Sequence, residues 1–209
     1  MGLYSEVVFP RLYDFGMDRP AMREHRFEQL RGIEGEVLEI GIGTGLNLAC
    51  YPDEVTRVVG VEPSPGMGKR LRRRVDEDRV AHPHREVELH RMSGESLPFD
   101  SGRFPHVVST LTLCSIRELD RALAEVRRVL APGGTFHFFE HGISDDASVR
   151  RWQHRLERFQ RLWAVGCSLL TDVGAHLERA DFASLEVERF LMDGAPKIHA
   201  PMWKGRAVR

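Results

Sequence analysis

The sequence has few cysteines, no long apolar segment and almost no net charge, and each of these features excludes a class of protein. The 209 residues carry 30 basic and 31 acidic side chains, so the net charge of -1 gives no general attraction to nucleic acid, and we expect no nucleic-acid partner. No apolar run is long enough to span a bilayer, and the first 20 residues lack the pattern of a signal peptide. We therefore expect a cytoplasmic protein of one domain, residues 1–209.

Cysteine is scarce, and its spacing excludes the common disulfide and metal frameworks. Cys50, Cys114 and Cys167 form no CxxC pair and stand at no metal-ligand spacing from a histidine. The histidines of HPH, residues 82–84, have no further ligand at a suitable distance in the sequence. We expect reduced thiols and no metal site.

Strand-like and helix-like segments alternate along the chain. Apolar runs rich in β-branched residues predict strands at 36–42, 57–62, 86–92, 106–112, 134–141, 184–190 and 205–209. Helical spacing predicts one to three short helices within 3–31, and further helices at 45–51, 65–78, 117–130, 147–164 and 171–180. This alternation predicts an α/β fold with a doubly wound, mostly parallel sheet. A loop with Gly194, Pro196 and Pro201 joins the last two strands, which predicts an antiparallel edge.

Three glycines follow the first predicted strand at alternate positions in VLEIGIGTG, residues 37–45. A glycine loop at the end of a parallel strand lets the backbone approach a ligand. Dinucleotide-binding loops have the spacing G-x-G-x-x-G, and here their third glycine is replaced by Leu46. The loop therefore disfavours a dinucleotide oxidoreductase.

Two acidic residues accompany this loop. Glu39 lies inside a strand, where a carboxylate is costly unless it is paired, and a cationic ligand would supply a partner. Glu62 ends the next strand, where a carboxylate can accept both hydroxyls of a ribose. Taken singly, each acid fits a surface charge at a strand end as well as it fits a ligand-binding carboxylate. Together with the glycines they favour S-adenosylmethionine, which carries a sulfonium, an ammonium and no phosphate.

Four segments in order resemble the motifs of class I S-adenosylmethionine-dependent methyltransferases. They are VLEIGIGTG (37–45), VVGVEPS (58–64), SGESLPFDSGRFPHVVS (93–109) and LAEVRRVLAPGGTFHFFEH (123–141). The resemblance implies a Rossmann-like, seven-stranded sheet whose last strand is antiparallel. It also implies S-adenosylmethionine as cofactor, with S-adenosylhomocysteine as product.

The resemblance also implies which residues contact the cofactor. By position these are Tyr13, Glu39, Gly41, Gly43, Gly45, Asn47, Glu62, Pro63, Met67, Ser93, Gly94, Glu95, Leu111 and Cys114. The glycines would line the methionine and ribose, Glu39 would face the ammonium, and Glu62 would hold the ribose. Many relatives have Asp where this chain has Ser93, so a hydroxyl or a carbonyl must serve the adenine there. Tyr13 is as readily a tyrosine that packs helices.

A closer resemblance narrows the acceptor. Four features resemble the animal enzymes that methylate alkyl thiols, and their bacterial relatives: LTLCSI (111–116), the pair Glu140 and His141, WQHRLERFQRLWAVGCSL (152–169) and LERADFASLEVERF (177–190). The segment LEIGIGTGLNLACYP (38–52) also resembles phospholipid N-methyltransferases and quinone C-methyltransferases. We expect methyl transfer to a small molecule, first a thiol, with a lipid amine or a quinone as alternatives. A cofactor-binding protein without turnover is the alternative of a different class.

The predicted acceptor side follows the fifth strand. His141 is the candidate general base, although a histidine there also bonds to backbone. Trp152, Trp163 and Cys167 are predicted to line the acceptor pocket. We divide the domain into an amino-terminal helical cover (1–34), a cofactor-binding core (35–143), a helical substrate cover (144–180) and a carboxyl-terminal strand pair (181–209).

Overall fold

A seven-stranded sheet with the order β3-β2-β1-β4-β5-β7-β6 forms the centre of the computed structural model, which describes residues 2–209. The strands are β1 (Gly35–Ile40), β2 (Val55–Val61), β3 (Glu86–His90), β4 (Phe104–Thr110), β5 (Leu130–His141), β6 (Ser184–Leu191) and β7 (Pro201–Val208). β1 to β5 are parallel, and β7 runs antiparallel to both β5 and β6. The predicted sheet, with its last strand antiparallel, is confirmed.

Six α-helices flank the sheet in the described part of the chain, residues 2–209. They are α1 (Phe9–Met17), α2 (Pro20–Leu30), α3 (Gly68–Ala81), α4 (Leu119–Val129), α5 (Ala147–Trp163) and α6 (Val173–Arg179). A π-helical turn, Tyr4–Val8, precedes α1, and 3₁₀ turns occupy Leu48–Cys50 and Leu113–Ser115. Within residues 2–209, no helix has both the length and the apolar character needed to cross a membrane.

Two local predictions are wrong. The predicted helix at 45–51 is only the 3₁₀ turn Leu48–Cys50, because the glycine loop continues to Gly45, whose φ of 83° is left-handed. Pro201 is not in the loop before the last strand but is the first residue of β7, a position where a missing N–H breaks no internal ladder.

The apolar core lies on both faces of the sheet, as alternation along the strands requires. In β1, Leu38 packs into the cluster on one face and Val37 into the cluster on the other. Helix α4, which helical spacing predicted at 117–130, buries Leu119, Leu123, Val126 and Val129 in the first of these clusters. The core therefore fixes the sheet from which the functional loops emerge.

The strand order reverses between β1 and β4, and this reversal positions the site. β1 pairs with β2 on one side and with β4 on the other. Ligands of such sheets bind at the carboxyl ends of the strands at this switch point. The glycine loop follows β1, Glu62 follows β2, Leu111 follows β4, and His141 ends β5. All four lie at the same edge of the sheet.

Candidate active site

The glycine loop after β1 requires glycine for two physical reasons. Gly41, Gly43 and Gly45 all have positive φ angles, of 68°, 57° and 83°. A Cβ on Gly41 would overlap the side chain of Thr112, and one on Gly45 would lie 2.9 Å from the side chain of Leu71. The loop therefore lies tightly between the turn after β4 and helix α3.

Glu62 holds the glycine loop and the turn after β2 together. One carboxylate oxygen accepts from the backbone N–H of Gly43 at 3.0 Å, and the other accepts from the N–H of Ser64 at 2.7 Å. Burial raises the pKa of Glu62, while these two donors lower it. Pro63 is exposed next to it, and Met67, just before α3, is buried. The acid is thus fixed where the first two strands end.

Glu39 is buried behind the loop rather than beside an open space. Asn47 donates to one of its oxygens at 2.9 Å, and the Tyr51 hydroxyl donates to the other at 2.8 Å. Burial raises the pKa of Glu39 to about 7, opposed by these donors and by the charge of Arg26. The carboxylate therefore has two partners from its own chain, and Asn47 stands between it and Arg26, whose Nη1 donates to the Asn47 carbonyl oxygen at 2.7 Å.

Arg26 is a site residue that the sequence did not reveal. It lies in α2 with 3% of its surface exposed, and its Nε and Nη2 have no hydrogen-bond partner within residues 2–209. Nearby, burial raises the pKa of Tyr13 to about 12, while Arg26 lowers it and the charges of Cys114 and Glu62 raise it further. Tyr13 therefore lies among the predicted cofactor residues, and Arg26 offers free donors to the same space.

The residues after β3 are brought to the same edge. A Cβ on Gly94 would lie 2.8 Å from the side chain of Ile40, the last residue of β1. The Ser93 hydroxyl donates to Glu95 at 2.9 Å, and Glu95 also accepts from the backbone N–H of Glu118 at 2.9 Å. The N–H of Glu118 is the largest influence that lowers the pKa of Glu95. Ser93, which stands where many relatives have Asp, thus has its hydroxyl hydrogen-bonded to Glu95.

The amino-terminal helices are tied to the glycine loop by Asp14 of α1. Its carboxylate accepts from the Thr44 hydroxyl at 2.6 Å, from Arg70 at 2.6 Å and from Arg74 at 3.2 Å. Asp14 is 8% exposed, so these bonds are largely shielded from water. They connect α1 to the loop and to α3, and so hold the amino-terminal helices over this end of the sheet.

The turn after β4 is held by a second buried acid. Glu140 is fully buried at the end of β5 and accepts from the Ser109 hydroxyl at 2.7 Å and from the backbone N–H groups of Thr112 and Leu113 at 2.9 and 3.1 Å. Burial raises its pKa to about 7 against the effect of these donors. Leu111, just before the turn, has a φ of 53°, a strained angle for leucine. Glu140 stabilises the turn in this conformation.

Two cysteines and a histidine meet where β4 and β5 end. The sulfur of Cys167 lies 3.4 Å from the sulfur of Cys114 and 3.1 Å from Nε2 of His141. Gln160 donates to the Cys167 sulfur at 3.6 Å. The two cysteines are 53 residues apart in the chain, and His141 is 26 residues from Cys167, so spacing alone did not indicate this cluster.

The three side chains of the cluster shift one another's pKa values. The hydrogen bond from the Cys114 thiol lowers the pKa of Cys167, opposed by burial and aided by His141, and the same bond raises the pKa of Cys114. Burial lowers the pKa of His141, but the charges of Cys167 and Glu140 raise it overall. Nδ1 of His141 is buried without a partner among the described residues. The pair favours a thiolate on Cys167 and a cation on His141.

Helix α5 faces the domain with glutamines and the solvent with aromatic residues. Gln153, with no exposed surface, accepts from the N–H of Ser144 and donates to the carbonyls of Gly142 and Ile198. These backbone groups need polar partners, which an aromatic ring cannot supply. The exposed large apolar side chains of this region are Trp152, Phe159, Leu162, Trp163 and Val165.

The same orientation exposes two of the three residues that are predicted to line the acceptor pocket. Trp152 and Trp163 are 54% and 46% exposed on α5, so they do not form a buried aromatic cover. Cys167 is the predicted pocket residue that the structure brings to His141. The Tyr4 hydroxyl donates to the carbonyl of Trp163 at 2.7 Å, which joins the amino-terminal turn to the end of α5.

The sheet order, the glycine loop and the acid after the second strand together define a class I S-adenosylmethionine-dependent methyltransferase. Residues 38–138 match the family model described as "Methyltransferase domain". The chain is 33% identical to the human thiol S-methyltransferase TMT1A, over 99% of this chain and 85% of the relative. The chain belongs to this methyltransferase family, and its cofactor is S-adenosylmethionine.

Two further comparisons extend the same class. A phosphatidylethanolamine N-methyltransferase from Cereibacter sphaeroides is 31% identical over 71% of this chain and 72% of its own length. A solved Thermotoga maritima structure, described as an S-adenosylmethionine-dependent methyltransferase and possible histamine N-methyltransferase, superposes with a TM-score of 0.68 at 18% identity, over 98% of this chain and 97% of that chain. The structural likeness extends to the whole fold.

Proposed function

We propose that this methyltransferase transfers the methyl group of S-adenosylmethionine to the sulfur of a small thiol. The observation that carries the proposal is the cluster of Cys114, His141 and Cys167 at the edge of the sheet that also bears the glycine loop. The likeness to a thiol S-methyltransferase, which extends along nearly the whole chain, supports the same acceptor. Three cysteines without a disulfide fit a reducing compartment, and we place the reaction in the cytoplasm.

We assign the polar ends of the cofactor to four groups. The backbone of the glycine loop borders the ribose and the methionine chain, and Glu62 accepts the ribose hydroxyls. Arg26 donates its free N–H groups to the methionine carboxylate, since a carboxylate is the natural partner of an unpaired guanidinium. Glu39 acts on the ammonium through Asn47, with which it shares a hydrogen bond.

The remaining predicted contacts complete this assignment. Pro63 and Met67 pack on the adenine, while Ser93, Gly94 and Glu95 border its edge. Leu111 and Cys114 meet the cofactor from the turn after β4, and Tyr13 closes the methionine end from α1. These roles follow the predicted division of the domain into an amino-terminal cover (1–34), a core (35–143), a substrate cover (144–180) and a strand pair (181–209).

Methyl transfer is an in-line displacement that requires the acceptor atom to lie about 3–3.5 Å from the methyl carbon. A thiol reacts as its thiolate, so a site for thiols must favour the deprotonated form. His141, the predicted catalytic residue, and Cys167 lie together at the end of β5, and we assign them to the reacting side of the acceptor. They orient the sulfur and favour its loss of the proton.

An amine acceptor is the second candidate, favoured by the likeness to a phosphatidylethanolamine N-methyltransferase. Three acceptors with the same two-carbon skeleton separate the possibilities: 2-mercaptoethanol, ethanolamine and ethylene glycol. With cofactor labelled in its methyl group, we expect label to enter the thiol at least tenfold faster than the amine or the diol. Faster labelling of ethanolamine would overturn the thiol proposal.

A matched pair of variants checks that this labelling uses the proposed pocket. Glu62→Gln removes the proposed ribose contact, and Glu178→Gln makes the same change at an exposed residue of α6. We expect the first to weaken S-adenosylhomocysteine binding by at least tenfold and the second to leave it unchanged. Equal affinities for both variants would place the pocket elsewhere.

A further inference from the structure

The cluster of Cys114, His141 and Cys167 has the composition and spacing of a metal site. One ligand atom from each residue lies within 4.8 Å of the other two, and all three side chains are buried or partly buried. We propose that these three residues bind a zinc ion and leave its fourth coordination position open. This metal site adjoins the cofactor pocket, because Cys114 belongs to the turn after β4 that we assign to the cofactor, and both sites lie at the same edge of the sheet.

The distances between the ligand atoms fit a metal site better than a disulfide. Tetrahedral zinc with Zn–S of about 2.3 Å and Zn–N of about 2.0–2.1 Å places two sulfurs about 3.8 Å apart, and a sulfur and a nitrogen about 3.6 Å apart. The observed separations are 3.4 Å between the sulfurs and 3.1 Å between His141 and Cys167. These two pairs of atoms must therefore separate by only a few tenths of an ångström, and the third pair, Cys114 and His141, lies within 4.8 Å. A disulfide needs sulfurs about 2.05 Å apart and gives the histidine no role.

The backbone holds the three ligands in place before any metal arrives. The N–H of Ser168 donates to the carbonyl of Cys114 at 2.9 Å, which joins the two cysteine segments directly. His141 is fixed in β5, opposite Met202 of β7. Val165 and Gly166, with φ angles of 50° and 102°, turn the chain sharply after α5 and direct it back to Cys167. Such support is what a precise metal site requires.

Groups around the ligands also fit a metal-bound thiolate. Gln160 donates to the sulfur of Cys167, and its carbonyl oxygen lies 3.2 Å from Nε2 of His199. Hydrogen bonds of this kind orient ligands from outside the coordination sphere. Two thiolates and a neutral imidazole around a divalent ion give no net charge, which suits a buried position.

Three protein ligands with one open position are typical of catalytic rather than structural zinc. If the acceptor is a thiol, as the proposed function states, its sulfur can take the open position, and its proton passes to solvent. A lone pair of that sulfur then forms the bond to the methyl carbon. The bond from the methyl to the cofactor sulfur breaks, and its electron pair stays on that sulfur. The products are a methyl thioether and S-adenosylhomocysteine, and the metal is unchanged.

Cobalt titration tests the site without any acceptor. Metal-free protein, reduced with a phosphine, is titrated with Co²⁺, whose bonds to thiolates give intense charge-transfer absorption. We expect one equivalent to bind, and we expect Cys114→Ser, Cys167→Ser and His141→Asn each to weaken binding at least tenfold. Cys50→Ser, the matched change at the third cysteine, should bind like the parent. Binding that is absent from the parent, or equal in all four variants, would overturn the proposal.

Further measurements distinguish effects on folding and on activity from effects on metal binding. S-adenosylhomocysteine affinity, expected to be unchanged in His141→Asn, shows that loss of cobalt is not loss of the fold. Addition of 2-mercaptoethanol to the cobalt protein should change its visible spectrum, as a ligand in the open position requires. A cobalt site with no thiol methylation would refute the proposed function and leave the site standing. Undiminished thiol methylation by metal-free protein would refute the catalytic role of the metal.

Discussion

Arg26 offers a sharp test of the cofactor site, because its buried guanidinium has two N–H groups without partners. We assign these donors to the methionine carboxylate of the cofactor. A hydrogen bond to a charged group contributes about 1.5–3 kcal/mol. Arg26→Met keeps much of the apolar volume and removes the donors, so we expect the dissociation constant of S-adenosylhomocysteine to rise about 10- to 150-fold.

A second ligand makes this prediction specific. 5′-Methylthioadenosine shares the adenosine and the thioether of S-adenosylhomocysteine but has no amino-acid part. Calorimetry should show that Arg26→Met leaves its affinity within about twofold of the parent, while Glu62→Gln weakens both ligands. The comparison isolates the interaction between Arg26 and the carboxylate in the manner of a double-mutant cycle. Equal weakening of both ligands by Arg26→Met, or of neither, would refute the assignment.

Three further changes test the contacts around the site, each by chemical denaturation. Asp14→Asn should lower the free energy of unfolding by about 2–3 kcal/mol because it breaks a largely buried charge cluster. Asp18→Asn, which breaks an exposed ion pair, should lower the free energy of unfolding by at most about 1 kcal/mol. Equal losses in the two variants would contradict this. Gln153→Leu should cost about 2–4 kcal/mol, since three buried backbone groups lose their partner, and a neutral result would contradict the orientation of α5. Burial, with the charges of His106 and Arg206, lowers the pKa of His137 to about 3, so between this value and the unfolded value of 6.5 only the unfolded chain is protonated. The free energy of unfolding of the parent should therefore fall by about 1.4 kcal/mol between about pH 7.5 and 5.5, and His137→Gln should not show this fall. Parallel pH profiles of the two proteins would contradict this.

The sequence predicted the sheet well because apolar periodicity reports burial directly. The apolar run at 106–112 anticipated β4, and the apolar spacing in 117–130 anticipated the buried face of α4. The glycine loop and Glu62 were recognisable because close backbone approach and a fixed acid leave a local pattern. The first half of β7 was missed, since its first residue is Pro201, and a proline in a segment with glycine and another proline is typical of a loop.

Other features of the site were not predictable because they depend on tertiary contacts. Arg26 looks like any arginine of a polar helix, and only the structure shows it buried without partners. The cluster of His141 with its two cysteines arises from three distant segments. Helix α5 contradicts the usual rule, because Gln153 satisfies buried backbone groups while Trp152 is exposed. In each case the surroundings of the side chain are set by segments that are distant in the sequence.

Transfer of an isotopically labelled methyl group to cysteamine tests S-methylation most directly, because this acceptor carries a thiol and an amine on one two-carbon chain. The protein is incubated with cofactor labelled with ¹³C in the methyl group, and NMR of the product locates the label. We expect the label on sulfur alone. Label on nitrogen, or no transfer to cysteamine or to any longer alkyl thiol, would contradict the proposed reaction.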